Sequence, residues 1–198
     1  MSEINRRELL GMLAAAPLPA LFSLPRGSIE GAWRKAQDAV VAGARFEPRF
    51  FTGSEWQTVR LLADLIIPRD EHSGSATDAA VPEFMDFVML EWPENQTPMR
   101  GGLTWLDREC RERYSQPFRE CAAAERTALL DGIAWPKKAR PEMSHGAAWF
   151  TSFRDLVASG FYSSKMGVED LRYIGNTFVP EWKGCPPEAT NKLGVRTR

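Results

Sequence analysis

Imidazole is almost absent from this chain: 198 residues contain two histidines, His72 and His145. There is no His-Glu-x-x-His helix and no cysteine cluster, so zinc-hydrolase and iron–sulfur chemistry lack a starting ligand set. No Cys-x-x-Cys-His is present to attach haem, and no Gly-x-Ser-x-Gly to present a nucleophilic serine. The absence of Gly-x-Gly-x-x-Gly excludes a flavin or nicotinamide held on a Rossmann turn. Charge of neither sign dominates, with Lys+Arg 25 against Asp+Glu 26, and no basic run interleaves with aromatics. A nucleic-acid binder would carry that footprint. Period-2 alternation and Asn-Gly turns are missing, which removes the strand signals. An unbroken apolar run of roughly 20 residues, the length a spanning helix needs, is missing too.

What is present begins at Arg6 and Arg7, directly before the apolar stretch Leu9–Leu24. A twin arginine ahead of a short hydrophobic run is an export address for proteins that cross a bacterial membrane already folded. Pro17 and Pro19 interrupt the run, so it does not suit a spanning helix. The alternative is an amphiphilic tail or anchor. Glu3 and Glu8 dilute the basic region and no small-x-small site follows Ala14–Ala16, which leaves cleavage open. Residues 1–25 are therefore expected as a signal segment, 26–50 as a linker or arm, 51–175 as one helical domain, and 176–198 as an extended Gly/Pro-rich tail.

Within the domain, Thr52-Gly53-Ser54-Glu55 has the form of a capping box, in which Thr52 and Glu55 satisfy each other's backbone donors. Trp56, Val59, Leu62, Ala63 and Ile66 follow at helical spacing, and Pro68 stops that helix. Pro82 suits the first turn of a second helix carrying Phe84, Phe87 and Val88, and Pro93 ends it. A third helix is expected from Met99 with Leu103, Leu106, Cys110 and Tyr114 on one stripe. A fourth is expected from Arg119 to Ile133, and a fifth from Ser144 with Gly160 capping its end. A short one falls around Val168–Tyr173. The expected fold is all-α, an irregular bundle of about five to six helices.

Chemistry is harder to find. Arg69-Asp70-Glu71-His72 is the densest polar group, and Asp70, His72 and Asp78 are the candidate metal ligands or acid–base groups. The competing reading is a charged loop whose side chains bond its own backbone. Trp149, Phe150, Phe153, Phe161 and Tyr162 supply more rings than one helix face buries, so part of this group is expected either in the core or against a partner. Cys110, Cys121 and Cys185 are an odd number. Eleven residues of continuous helix would place Cys110 and Cys121 ~16 Å apart, too far to bond. Pro117 lies between them, and a bend there would bring them together; three buried small hydrophobes is the equal alternative.

Three blocks carry a likeness to known proteins: Arg6-Arg7-Glu-Leu-Leu; Phe51-Thr-Gly-Ser-Glu55 through Leu62-Ala-Asp-Leu-Ile-Ile-Pro-Arg-Asp70 to Ala80-Val-Pro-Glu-Phe84; and Tyr173-Ile-Gly-Asn-Thr through Pro180-Glu-Trp-Lys-Gly-Cys-Pro-Pro187. In these the chain resembles the gluconate 2-dehydrogenase subunit 3 family, small subunits of periplasmic flavoprotein dehydrogenases. The resemblance implies a non-catalytic subunit with no cofactor of its own. It implies FAD in a large partner subunit of the glucose–methanol–choline type, and haem in a cytochrome c subunit where one is present. It further implies that Arg6 and Arg7 direct the complex through the twin-arginine translocase to the periplasm or the periplasmic face of the inner membrane. Trp149, Phe161, Tyr162, Trp182 and Cys185 are the candidate partner-interface residues, with a cysteine bond to the large subunit as a subsidiary expectation. The alternatives are a stand-alone exported enzyme built on Asp70, His72 or a metal, and an exported ligand-binding helical module.

Overall fold

The first element of the domain forms where its cap is written. In the computed structural model, which describes residues 31–36, 38, 46–173, 175, 178, 180, 181, 184–192 and 194, helix α1 spans Gly53–Ile66. Thr52 is extended, its hydroxyl accepts from Glu55 N–H, and the Glu55 carboxylate accepts Thr52 N–H at 2.8 Å. Ile67, ahead of Pro68, leaves the helical region at φ −126° and ψ 85°. Helix α2 (Val81–Glu91) starts from Ala80 in the left-handed region, with Pro82 in its first turn. It is the most enclosed of these helices, and Phe84, Met85, Val88 and Met89 are fully buried. Each such side chain contributes roughly 1.5–3 kcal/mol by leaving water.

Pro93 does more than end α2: it opens a 3-10 turn, Pro93–Asn95, that runs directly into α3 (Gln96–Tyr114). Ser115 closes α3 in the left-handed region. The expected helix from Arg119 to Ile133 is divided. Phe118–Glu120 forms a 3-10 turn, Cys121 and Ala122 are extended, and α4 spans Ala123–Asp131. The division follows from Glu125, whose carboxylate accepts Ala122 N–H at 2.8 Å and starts a fresh helix there. After a 3-10 turn at Pro141–Met143 come α5 (Ser144–Ser163), α6 (Lys165–Asp170) and, in the C-terminal stretch, α7 (Pro187–Lys192). Among the described residues the architecture is all helical and has no strand. α7 places a short helix in the stretch expected to be extended.

The bundle is held by side chains entering glycine-sized gaps. A Cβ built on Gly102 of α3 would overlap the indole of Trp149 on α5, and one on Gly146 of α5 would overlap the indole of Trp105 on α3. The two helices thus exchange tryptophans for glycines in both directions. Gly160, expected to cap α5, lies inside it. Its missing Cβ admits Phe84 of α2, whose Cδ1 would stand 2.9 Å away. Helix α5 continues to Ser163, where the Ser164 hydroxyl donates to Phe161 O at 2.6 Å and accepts Gly167 N–H at 3.0 Å to start α6.

The stretch expected as a linker packs on the domain where it is described. Residues 31–36 are helical, Ala32, Trp33 and Ala36 are buried, and Trp33 stacks on Phe84 at 5.1 Å. The chain that follows is fastened by Asp86, a fully buried carboxylate in the middle of α2. It accepts the N–H groups of Arg49, Phe50 and Phe51 at 2.9, 3.0 and 3.1 Å. Arg100 adds a bond to Phe50 O at 2.7 Å and lies over the Phe50 ring. Residues 1–30, including Arg6 and Arg7, lie outside the described residues.

Two adjacent glycines in α3 test the interlock. Gly101 faces open space, whereas Gly102 faces the Trp149 ring. Gly101→Ala is expected to be neutral or stabilising by up to ~1 kcal/mol. Gly102→Ala is expected to cost about 1–3 kcal/mol or more through overpacking. Urea unfolding of the two variants side by side measures the contrast.

Candidate functional site

The polar residues singled out in the loop 69–80 fold onto their own backbone. Asp70 Oδ1 accepts N–H from both His72 and Ser73 at 2.8 Å, an Asx-type turn. The Ser73 and His72 amides hold the Asp70 carboxyl below its usual range. Asp78 Oδ2 accepts Ser75 N–H at 2.7 Å, the Ser75 hydroxyl at 3.0 Å and Arg69 Nη2 at 2.7 Å. The Ser75 amide is the main cause of its lowered pKa; burial opposes it, and the Ser75 hydroxyl and Arg69 add to the lowering. From α1, Asp64 accepts Thr77 N–H and its hydroxyl, both at 2.8 Å. Ala76 N–H bonds Ile67 O at 3.0 Å and closes the loop. The block Ile-Ile-Pro-Arg-Asp therefore encodes the path of this loop. Asp70, His72 and Asp78 do not converge, and among the described residues no group of three His, Cys, Asp or Glu side chains is placed to hold a metal.

A cleft of about 250 Å³ lies between the start of α1 and the middle of α3, lined by Thr52, Ser54, Glu55, Thr104, Asp107 and Arg111 among others. Its carboxylates already have partners. Glu55 bonds Thr52 and Arg100, and Asp107 accepts Phe118 N–H at 3.0 Å. The Thr52 hydroxyl meets the Glu55 carboxylate at 2.9 Å in this cleft, and both groups form the N-terminal cap of α1.

The aromatic candidates separate by face. Trp149 is 7% exposed and Phe161 is 1% exposed, so both lie inside this chain's own core. Trp149 fills the gap at Gly102, and the Phe161 ring meets Tyr162 edge-on at 5.3 Å. Of the candidate interface residues, these two offer no exposed surface in this structure, whereas Tyr162 is 44% exposed and Cys185 is exposed. Trp182 lies outside the described residues. Leu171 (58%), Tyr173 (66%) and Phe178 are also open to solvent, and so is Trp135 on the far side of α4 in sequence. Leu171 N–H to Gly167 O and Tyr173 N–H to Val168 O keep the first two at the end of α6. Sequence patterning missed them because a helix of six residues is too short to show a periodic face.

One buried acid lacks an equal partner. Glu83, in the first turn of α2, is almost enclosed, and its Oε2 has no hydrogen bond. Arg60 Nη1 stands 3.6 Å from Oε1. Burial pushes the carboxyl up from its usual value; the Glu83 amide and Arg60 oppose this, and Asp86 adds to it.

The fold and these sites define an all-helical module whose loop carboxylates are engaged by backbone and whose exposed large apolar side chains include Tyr162 in the last turn of α5 and Leu171 and Tyr173 past α6. Residues 53–180 match the family model described as gluconate 2-dehydrogenase subunit 3. The match takes in more than half of the chain, which belongs to that family. Comparison with curated proteins and with solved structures yields no match. The matched segment begins at α1, so the twin-arginine segment precedes it.

Glu83 sets a pH dependence whose sign is fixed by burial. A carboxyl with a raised folded-state pKa favours the native state fully below the unfolded value, 4.5, and this contribution is lost as pH rises through the folded pKa. Glu83→Gln keeps the shape without the charge. It is expected to be more stable than the parent at pH 7, with the difference vanishing near pH 4, as read by urea midpoints at both pH values.

Proposed function

We propose that this chain is the non-catalytic small subunit of a flavin-dependent sugar, polyol or glycoside dehydrogenase complex. It supplies the twin-arginine export signal through Arg6 and Arg7, and it escorts and stabilises the catalytic large subunit. FAD resides in that partner, and a cytochrome c subunit with haem is the electron acceptor where one is present. The complex works in the periplasm or at the periplasmic face of the inner membrane. The observation that carries the reading is the family match over residues 53–180. The engagement of Asp64, Asp70 and Asp78 by backbone supports it, since these carboxylates act on the fold. The partner-facing side is drawn at Tyr162 in the last turn of α5 and at Leu171 and Tyr173 just past α6, which leave apolar surface in water. Cys185 is the exposed cysteine and the one open to a bond with the large subunit.

A C-terminally tagged chain recovered from its own cell envelope tests the reading. The expected eluate is yellow, with a flavin absorbance band and a co-purifying large subunit; a colourless single chain overturns it. Arg6→Lys with Arg7→Lys is expected to leave the large subunit in the cytoplasm and to reduce envelope flavin to background. Retained export of the large subunit would refute the escort role. A band on non-reducing electrophoresis that holds both subunits, lost in Cys185→Ser, is the outcome expected of a Cys185 link.

A further inference from the structure

Two nucleophilic side chains that the proposed function does not use are brought together by the turn after α3. Cys110 lies on the buried stripe of α3 and is fully enclosed. Ser115 ends the helix at φ 61°, and the chain reverses through Pro117. Asp107, one turn before Cys110, accepts Phe118 N–H at 3.0 Å and ties the returning chain to α3. Cys121 N–H bonds Pro117 O at 3.2 Å and Phe118 O at 3.3 Å, and its thiol points at Pro117 O (3.5 Å) and Gln116 O (3.8 Å). The reversal leaves Cys121 3% exposed in the same core as Cys110, with the Asp107–Phe118 bond holding its turn against the helical turn that carries Cys110. Both are free thiols in this structure.

We propose that Cys110 and Cys121 are an intramolecular disulfide site, closed by a disulfide-bearing oxidant, that clamps the 115–121 turn onto α3. The inference stands on the turn geometry and is independent of the family reading. In the first step the Cys121 thiolate attacks the oxidant's disulfide, forming a mixed disulfide and releasing one oxidant thiol. The Cys110 sulfur then attacks Cys121 Sγ and expels the second oxidant thiol. Two S–H bonds are lost from the protein and one S–S bond is gained. The two electrons and two protons reduce the oxidant's disulfide to two thiols. Burial and the neighbouring Cys121 push the Cys110 thiol up to about 12, so it is a poor nucleophile in the closed fold. The bond therefore forms while the turn is open, during folding or local unfolding, and the finished fold then encloses it.

The test uses the full chain carrying Cys185→Ser, unfolded and refolded in oxidised glutathione or in reductant. The expected product loses both remaining titratable thiols and yields one Cys110–Cys121 cross-linked peptide by mass spectrometry. It is expected to melt about 5–10 °C above the reduced form, from the entropy of a short closed loop in a domain of this size. Two thiols still titrating, a stable glutathione adduct, a cross-link between chains, or a bridged product that melts lower would each overturn the proposal. Incubation of the folded reduced protein with the same oxidant is expected to close the bond far more slowly than refolding does. Equal rates would overturn the folding-coupled route.

Discussion

The fold depends on two glycines that leave room for two tryptophans. Helices α3 and α5 approach closely because Gly102 and Gly146 have no Cβ, and the indoles of Trp149 and Trp105 occupy the space so made. A tryptophan buries more apolar area than any other side chain, so each exchange supplies contact that two larger residues meeting side by side would not. The arrangement sets where α5 runs, and α5 then positions its neighbours. Gly160 lets Phe84 of α2 against it, and Phe161 O together with Ser164 starts α6. Trp33 stacks on the same Phe84, so even the segment before the family-matched region is seated by this geometry.

Structure set by near neighbours in sequence was legible. The Thr52–Glu55 cap, the stop at Pro68 and the start at Pro82 each depend on residues within one turn, and all three stand as the pattern implied. Structure set by distant partners was not. The turn ahead of α4 is held by Asp107 from the preceding helix, a contact that the local cap of Ala122 by Glu125 does not reveal. Gly160 reads as a stop signal only while the ring of Phe84 is out of view. Residues 31–36 have a weak pattern because so short a stretch, clasped by the core on one side, needs little periodicity to be retained. The candidate interface divided for the same reason. Counting rings near α5 locates aromatic mass, but the gap that houses Trp149 is made by Gly102 on another helix. Tyr162, one residue from Phe161, meets its ring edge-on yet is 44% exposed.

The carboxylates teach a related lesson. Asp64, Asp70, Asp78 and Asp86 all sit where a functional reading would look first, within or close to the most distinctive sequence blocks. Each accepts backbone N–H groups, and Asp86 accepts three in full burial. A buried carboxylate is costly unless its oxygens are satisfied, and an amide cluster satisfies them without bringing in a second charge. Such a group fixes chain path over 35 to 37 residues of separation, which no local propensity does. Glu83, three residues from Asp86, shows the opposite case. Its unbonded oxygen and its distant Arg60 leave the cost of burial largely uncovered.

These observations bear on where a partner would bind. The large rings that a composition argument assigns to an interface are needed to hold α3, α5 and α2 together, and exposing them would undo the bundle. The open apolar side chains Tyr162, Leu171 and Tyr173 carry no such duty: Tyr162 lies in the last turn of α5, Leu171 and Tyr173 are held by backbone bonds to α6, and all three lie within the family-matched segment. A surface of this kind can be covered without rearranging the core. A module rigidified by interlocked helices loses little free energy of association in ordering its own side of a contact, which suits the escort role proposed for it.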